Sequence, residues 1–239
     1  MISKVLSTAV SLWLRSQVER IEELKLEIIG NNRQILQGYI PKVLFYSNSA
    51  VYQGLHLRQV QLQAVNIKIN LAEILKGKPL KLLEPIPVTG KVLLSATDLN
   101  ASLTSSLLLD GLRDVLINLL KSQEIAPSSV NLDDYQISWQ NIALLDQKIM
   151  IEGCVCDLGK AEARSDRHGK VNPLSISTSL QLANCHTLLL SPFVVAGLPE
   201  LQVIQSQSLE IDLGEEVVIE HLELVWESLT CVGSLTVMP

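Results

Sequence analysis

The sequence predicts an α+β fold: a strongly curved, bulged, wrapping antiparallel sheet together with one long helix and an additional amphipathic helix at the N-terminus. Three observations predict it. Apolar residues recur with period two over most of the chain, one β-like segment slips phase twice, and the run Leu99–Lys121 keeps a helical period instead. With 239 residues and 26.3 kDa the chain is long enough for a substantial core. Apolar residues make up 47% and charged residues 18%, which excludes disorder as the main state.

At the start, Val5, Leu6, Val10, Trp13, Leu14, Val18 and Ile21 recur at helical spacing, so residues 2–21 read as an amphipathic helix. It either packs on the domain or lies in a membrane interface. From Leu24 the period becomes two, giving strands over Leu24–Ile29 and Ile35–Phe45, the second interrupted by Pro41. The segment Leu55–Leu71 is the most informative. Leu55 and Leu57 hold one phase, Val60, Leu62 and Ala64 the next, and Val65, Ile67, Ile69 and Leu71 a third. Each slip moves the apolar set to the other face, which a β-bulge accommodates with added twist, so the sheet must curve.

Further strands are expected over Val88–Ser95, Val130–Asn141, Lys148–Glu162, Gly169–Ala183, Leu201–Leu213 and Val217–Trp226, with a hairpin turn at Ser165–Lys170. The long helix follows Thr97 and Asp98, both able to cap it, and gathers Leu108, Leu112, Val115, Leu116, Leu119 and Leu120 on one side. Gly111 lies on that face and costs about 1 kcal/mol relative to Ala, so a close approach of sheet or ligand to its backbone is expected. No repeat or low-complexity linker divides the chain, which is assigned one domain: helix 1–22, then sheet 23–239 with the long helix at about 98–121.

The chemistry of the sequence is mostly one of exclusion. It has no nucleophile elbow, dinucleotide fingerprint, phosphate loop, zinc-protease motif or EF-hand loop, so no enzyme class and no cofactor is indicated. His56, His168, His186 and His221 are scattered, and the adjacent pairs Asp133-Asp134 and Glu215-Glu216 diverge in extended structure. Cys154, Cys156, Cys185 and Cys231 lack zinc spacing and read as buried free thiols of a reducing cytoplasm. Only nine aromatics stand against 44 leucines, and the net charge is -6, so neither base stacking nor phosphate neutralisation favours a nucleic-acid partner. Residues 171–199 lack any charged residue but alternate and contain three prolines, so they form no spanning helix. No signal segment is recognised, and a cytoplasmic protein, peripheral to a membrane at most, is expected.

Charge is unevenly spread. Residues 31–100 carry net +5 and residues 200–239 net -8. Lys76, Lys78 and Lys81 crowd a Gly/Pro loop that is either a solvated turn or a contact for anionic head groups. Leu188–Pro199, with Phe193, Val194 and Val195, is either core packing or an apolar loop at a cavity lip or membrane.

The stretches Leu36-Gln37-Gly38-Tyr39-Ile40, Ala50-Val51-Tyr52-Gln53-Gly54-Leu55, Pro87-Val88-Thr89-Gly90 and Asp98-Leu99-Asn100 resemble the cyanobacterial branch of the LmeA-like phospholipid-binding family, over residues 20 to about 235. The resemblance implies a lipid-binding module related to tubular lipid-binding proteins, its curved sheet wrapped around the long helix beside an apolar slot. It implies no catalytic residue. On that reading Leu108, Gly111, Leu112, Val115, Leu116 and Leu119 line the slot for a phospholipid or fatty acyl lipid, and Lys76, Lys78, Lys81, Phe193, Val194 and Val195 meet the membrane. A β scaffold without a cavity, for protein partners, and an unrecognised enzyme are the competing readings.

Overall fold

A computed structural model of the chain describes residues 18–74, 76–122, 132–157, 171–198 and 201–239. Strands occupy 64% and helices 18% of it. The elements run β1 (Arg20–Ile29), α1 (Asn32–Leu36), β2 (Tyr39–Tyr52), β3 (Leu55–Lys68), α2 (Leu71–Ile74), β4 (Ile86–Ser95), α3 (Ala96–Ala101), α4 (Ser106–Ser122), β5 (Tyr135–Leu145), β6 (Lys148–Asp157), β7 (Val171–Asn184), β8 (Thr187–Leu198), β9 (Leu201–Ser206), β10 (Leu209–Asp212), β11 (Val217–Val225) and β12 (Ser228–Val237). They build two antiparallel sheets, one ordered β1-β2-β3-β4-β12-β11 and one ordered β10-β8-β7-β6-β5 with β9 also paired to β8. Contacts divide the chain into two compact units. The first comprises Met1–Leu94, Gly214–Leu222 and Thr230–Pro239, the second Ser95–Leu213 and Glu223–Leu229.

This overturns the expected α+β class, because no long helix is wrapped by a sheet. The run Leu99–Lys121 breaks at Ser102–Ser105 into α3 and α4. The reason is local competition for the backbone. The buried Ser102 closes the end of α3, its N–H and its hydroxyl both donating to Asp98 O, at 3.0 and 2.7 Å. Its cap also differs from the expected Thr97 or Asp98. Ser95 accepts from the Asp98 N–H while the Asp98 carboxylate accepts from the Ser95 N–H, a reciprocal capping box. The predicted N-terminal helix lies outside the described residues up to position 17, and its last residues, Arg20 and Ile21, belong to β1. The predicted turn at Ser165–Lys170 also lies outside them.

In the first unit β2 and β3 form a hairpin of two 14-residue strands. Its turn, Gln53-Gly54, has φ of +48° and +75°, the left-handed pair that matches strand twist. The phase slips read from β3 are present, but no inserted residue makes them. The register holds unbroken from Tyr52↔Leu55 to Tyr39↔Lys68. Two left-handed residues stand where the phase changes instead: Ser49 on β2 between the pairs Asn48↔Gln59 and Ala50↔Leu57, and Asn66 on β3 between Ile40↔Ile67 and Lys42↔Val65. Ile35 and Leu36, expected in a strand, lie in α1, since Asn31 and Gln34 form a capping box and Gly38, at φ +79°, turns the chain into β2. A side chain at Gly38 would come within 2.5 Å of Ile69 O. Ile28, Ile35, Ile40, Ile67, Ile69 and Ile86 gather into this unit's buried cluster.

The second unit alternates more cleanly. Leu174 and Ile176 on β7 and Phe193 and Val195 on β8 are buried. Of the two readings of Leu188–Pro199, core packing holds over the described residues, since Leu188–Leu198 is strand, paired to β7 on one side and to β9 and β10 on the other. The single strand expected over Leu201–Leu213 is broken at Gln207-Ser208 into β9 and β10. Asn100 fixes α3 to the edge strand β5, its amide donating to Ile142 O at 2.7 Å and accepting from Ile142 N–H at 2.9 Å. The side chain thus occupies the place of a missing strand.

Candidate functional site

The first unit's sheet holds an open groove of about 860 Å³, within the usual size of ligand sites. All six strands of the sheet border it, through Leu24–Glu27 of β1, Leu44–Tyr46 of β2, Gln61–Gln63 of β3, Thr89–Lys91 of β4, Val232 and Gly233 of β12, and Glu220 of β11. In a flat sheet the two edge strands would stand five spacings apart, about 24 Å. That both edges border one groove means the sheet bends around it. No helix contributes to the lining.

Register brings three rows of residues across β1 to β4 into this groove. Leu26, Phe45, Leu62 and Gly90 form the middle row, Lys25, Tyr46, Gln61 and Lys91 one flank, and Glu27, Leu44, Gln63 and Thr89 the other. Neighbouring rows alternate in direction, so the apolar stripe of Leu26, Phe45 and Leu62 lies on one face of the sheet and the side chains of both flanking rows lie on the other. Lys25 Nζ lies 5.6 Å from the Tyr46 ring centroid, a cation–π contact that holds the ammonium over the sheet. The Tyr46 hydroxyl donates to Asn48 Oδ1 at 2.7 Å and accepts from Gln59 Nε2 at 2.9 Å. Two glycines keep strands close here. A side chain at Gly90 would come within 2.7 Å of Leu62 Cδ2, and one at Gly233 within 2.2 Å of Val218 O.

None of the α4 residues expected to line a slot borders this groove. Leu112, Leu116 and Leu119 are buried in the second unit, Leu108 and Val115 half-buried, and α4 meets β10. Gly111 is exposed with nothing within 4 Å of an added Cβ, so the expected close approach to its backbone is absent. Phe193 and Val195 are buried in β8 and Val194 is half-buried, so two of these three side chains have no surface to offer a membrane.

Lys76, Lys78 and Lys81 are exposed as expected of a charged loop. Sequence reasoning missed the residue that shapes that loop. Buried Asn70 accepts from the Lys81 N–H at 2.8 Å and donates to Pro79 O at 3.0 Å. Glu73 takes hydrogen bonds from Asn70 and Lys78, which together with the charge of Lys81 hold its carboxyl below the usual range. Lys78 is therefore already partnered, at 3.1 Å. The cysteines are also less buried than expected: Cys185 is exposed in the β7–β8 turn, the other three are half-buried, and all are free thiols. Among the described residues no cluster of His, Cys, Asp or Glu suits a metal ion, and no helix is long and apolar enough to cross a membrane.

A family model described as LmeA-like phospholipid-binding matches residues 1–234. The chain belongs to the LmeA-like phospholipid-binding family. The match takes in both units, the whole groove, and the N-terminal residues that the sequence resemblance left out. No curated protein and no solved structure matches the chain. The motifs that carried the resemblance have structural roles. Gly38 turns the chain into β2, Gln53-Gly54 is the hairpin turn, Gly90 borders the groove, and Asp98 and Asn100 cap and anchor α3.

Proposed function

We propose that the protein binds a phospholipid non-enzymatically in the groove of the first unit, with an acyl chain laid along the apolar stripe from Leu24 and Leu26 through Phe45 and Leu62. The observation that carries this is the apolar stripe along the groove in a chain of a phospholipid-binding family. Aliphatic walls solvate a chain at roughly 0.8 kcal/mol per buried CH₂. A bound lipid that is handed on would make the protein a carrier; one that is retained would make it a sensor.

Native mass spectrometry of gently purified protein, before and after addition of phosphatidylglycerol, tests the reading. A mass increment equal to one phospholipid is expected, reduced in Phe45→Ala and retained in Lys25→Glu/Lys91→Glu, whose side chains lie on the opposite face. A bare mass that added lipid leaves unchanged overturns it.

A further inference from the structure

The turn of the β11–β12 hairpin carries the most exposed large apolar side chain among the described residues. Trp226 is 68% exposed and Val225 beside it 41%. The backbone beneath them is held. Within the second unit the Glu227 N–H donates to Leu144 O at 3.0 Å, the Ala96 N–H to Glu227 O at 3.0 Å, and the Gln147 N–H to Leu224 O at 3.2 Å. Leu224, next to Val225 in the chain, is buried. The two exposed side chains therefore stand on a fixed base.

We propose that Trp226, with Val225, is the tip by which this protein enters the interface of a zwitterionic phospholipid bilayer. The indole has an apolar body and one N–H donor, the combination that partitions to the head-group level of a membrane. The surroundings select the kind of membrane. Glu223 and Glu227 flank the tip, and exposed Asp146 and Lys148 flank Gln147, which bonds to Leu224, so three acids against one base surround it and a neutral surface is favoured over an anionic one. Membership of a phospholipid-binding family favours a bilayer as the occupant, since that is where phospholipid is collected. The inference rests on the proposed function for that choice alone, and it makes the lysine loop dispensable for docking.

The test is co-sedimentation with phosphatidylcholine vesicles of wild type, Trp226→Ala, Trp226→Phe and Lys76→Glu/Lys78→Glu/Lys81→Glu, each first checked for an unchanged thermal transition. Trp226→Ala should bind about tenfold more weakly, Trp226→Phe should recover most of the loss, and the triple variant should bind like wild type. Salt near 1 M, where screening shortens to ~3 Å, should leave wild-type binding unaltered. Equal sedimentation of Trp226→Ala and wild type, release by salt, loss confined to the triple variant, or no binding by wild type would each overturn the inference. Dihexanoylphosphatidylcholine, used below its micelle concentration and read by native mass spectrometry, separates the two proposals. Trp226→Ala should take it up like wild type, whereas failure of both to bind it counts against the groove and leaves the vesicle result to judge the tip.

Discussion

The two units are built from the same material, antiparallel strands rich in Leu, Ile and Val, and use it differently. In the second unit the inward residues of neighbouring strands are closed off from water, with Val155 and Phe193 at 0% exposure and Leu174 and Val195 at 1%. The first unit keeps its tight packing to the isoleucine cluster beside α1 and α2, while Leu24, Leu26, Phe45 and Leu62 stay half-exposed along the groove. Backbone conformation differs in parallel. Glu23, Ser49 and Asn66 are left-handed within or beside strand pairings of the first unit, whereas among the described residues of the second the left-handed non-glycine residues are the turn positions Gln147 and Glu227. A closed core and an open site can thus share one composition, because strand phase decides how much of the apolar face is covered.

The largest expected effect is on the closed side. Phe193→Ala should destabilise by about 3–5 kcal/mol in urea unfolding, since a fully buried ring leaves a cavity. A loss under about 1 kcal/mol would break the contrast. Leu116→Ala on α4 should cost about 2–5 kcal/mol and Leu112→Trp about 1–3 kcal/mol if that face is packed protein rather than a slot wall. Near-native stability of both variants would reopen the slot. Asn100→Ala removes both bonds to Ile142 and should cost about 1–3 kcal/mol, with amide exchange at Ile142 accelerated.

On the open side Phe45→Ala should lower stability by only about 1 kcal/mol, its ring being half-buried, while reducing the lipid-bound fraction several-fold in the mass spectrum. The smallest effect concerns thiols. Burial pushes the Cys231 thiol up, so at neutral pH it should alkylate more slowly than exposed Cys185 when the sites are followed by peptide mapping. The linked change in stability has a definite sign. The folded thiol stays protonated where the unfolded one ionises, so stability falls as pH rises through the ordinary thiol range.

What the sequence by itself determined was the family, the period-two character of most of the chain and the two places where β3 changes phase, because alternation is a local consequence of one buried face. Its account of a long helix failed at Ser102 and Ser105: the apolar spacing of Leu99 and Leu103 continues the helix, and only the hydrogen bonds of Ser102 to Asp98 and the docking of Asn100 on Ile142 show why it stops. For Leu188–Pro199 the sequence left core packing and an apolar loop open, and strand β8 with Phe193 and Val195 buried decides for packing. The groove was not legible at all. Lys25, Tyr46, Gln61 and Lys91 lie far apart in the chain and meet only through register across four strands, and Glu220 joins them only because the sheet bends. Register and curvature are set by pairings between distant segments, so the tertiary structure alone decided where a ligand can sit.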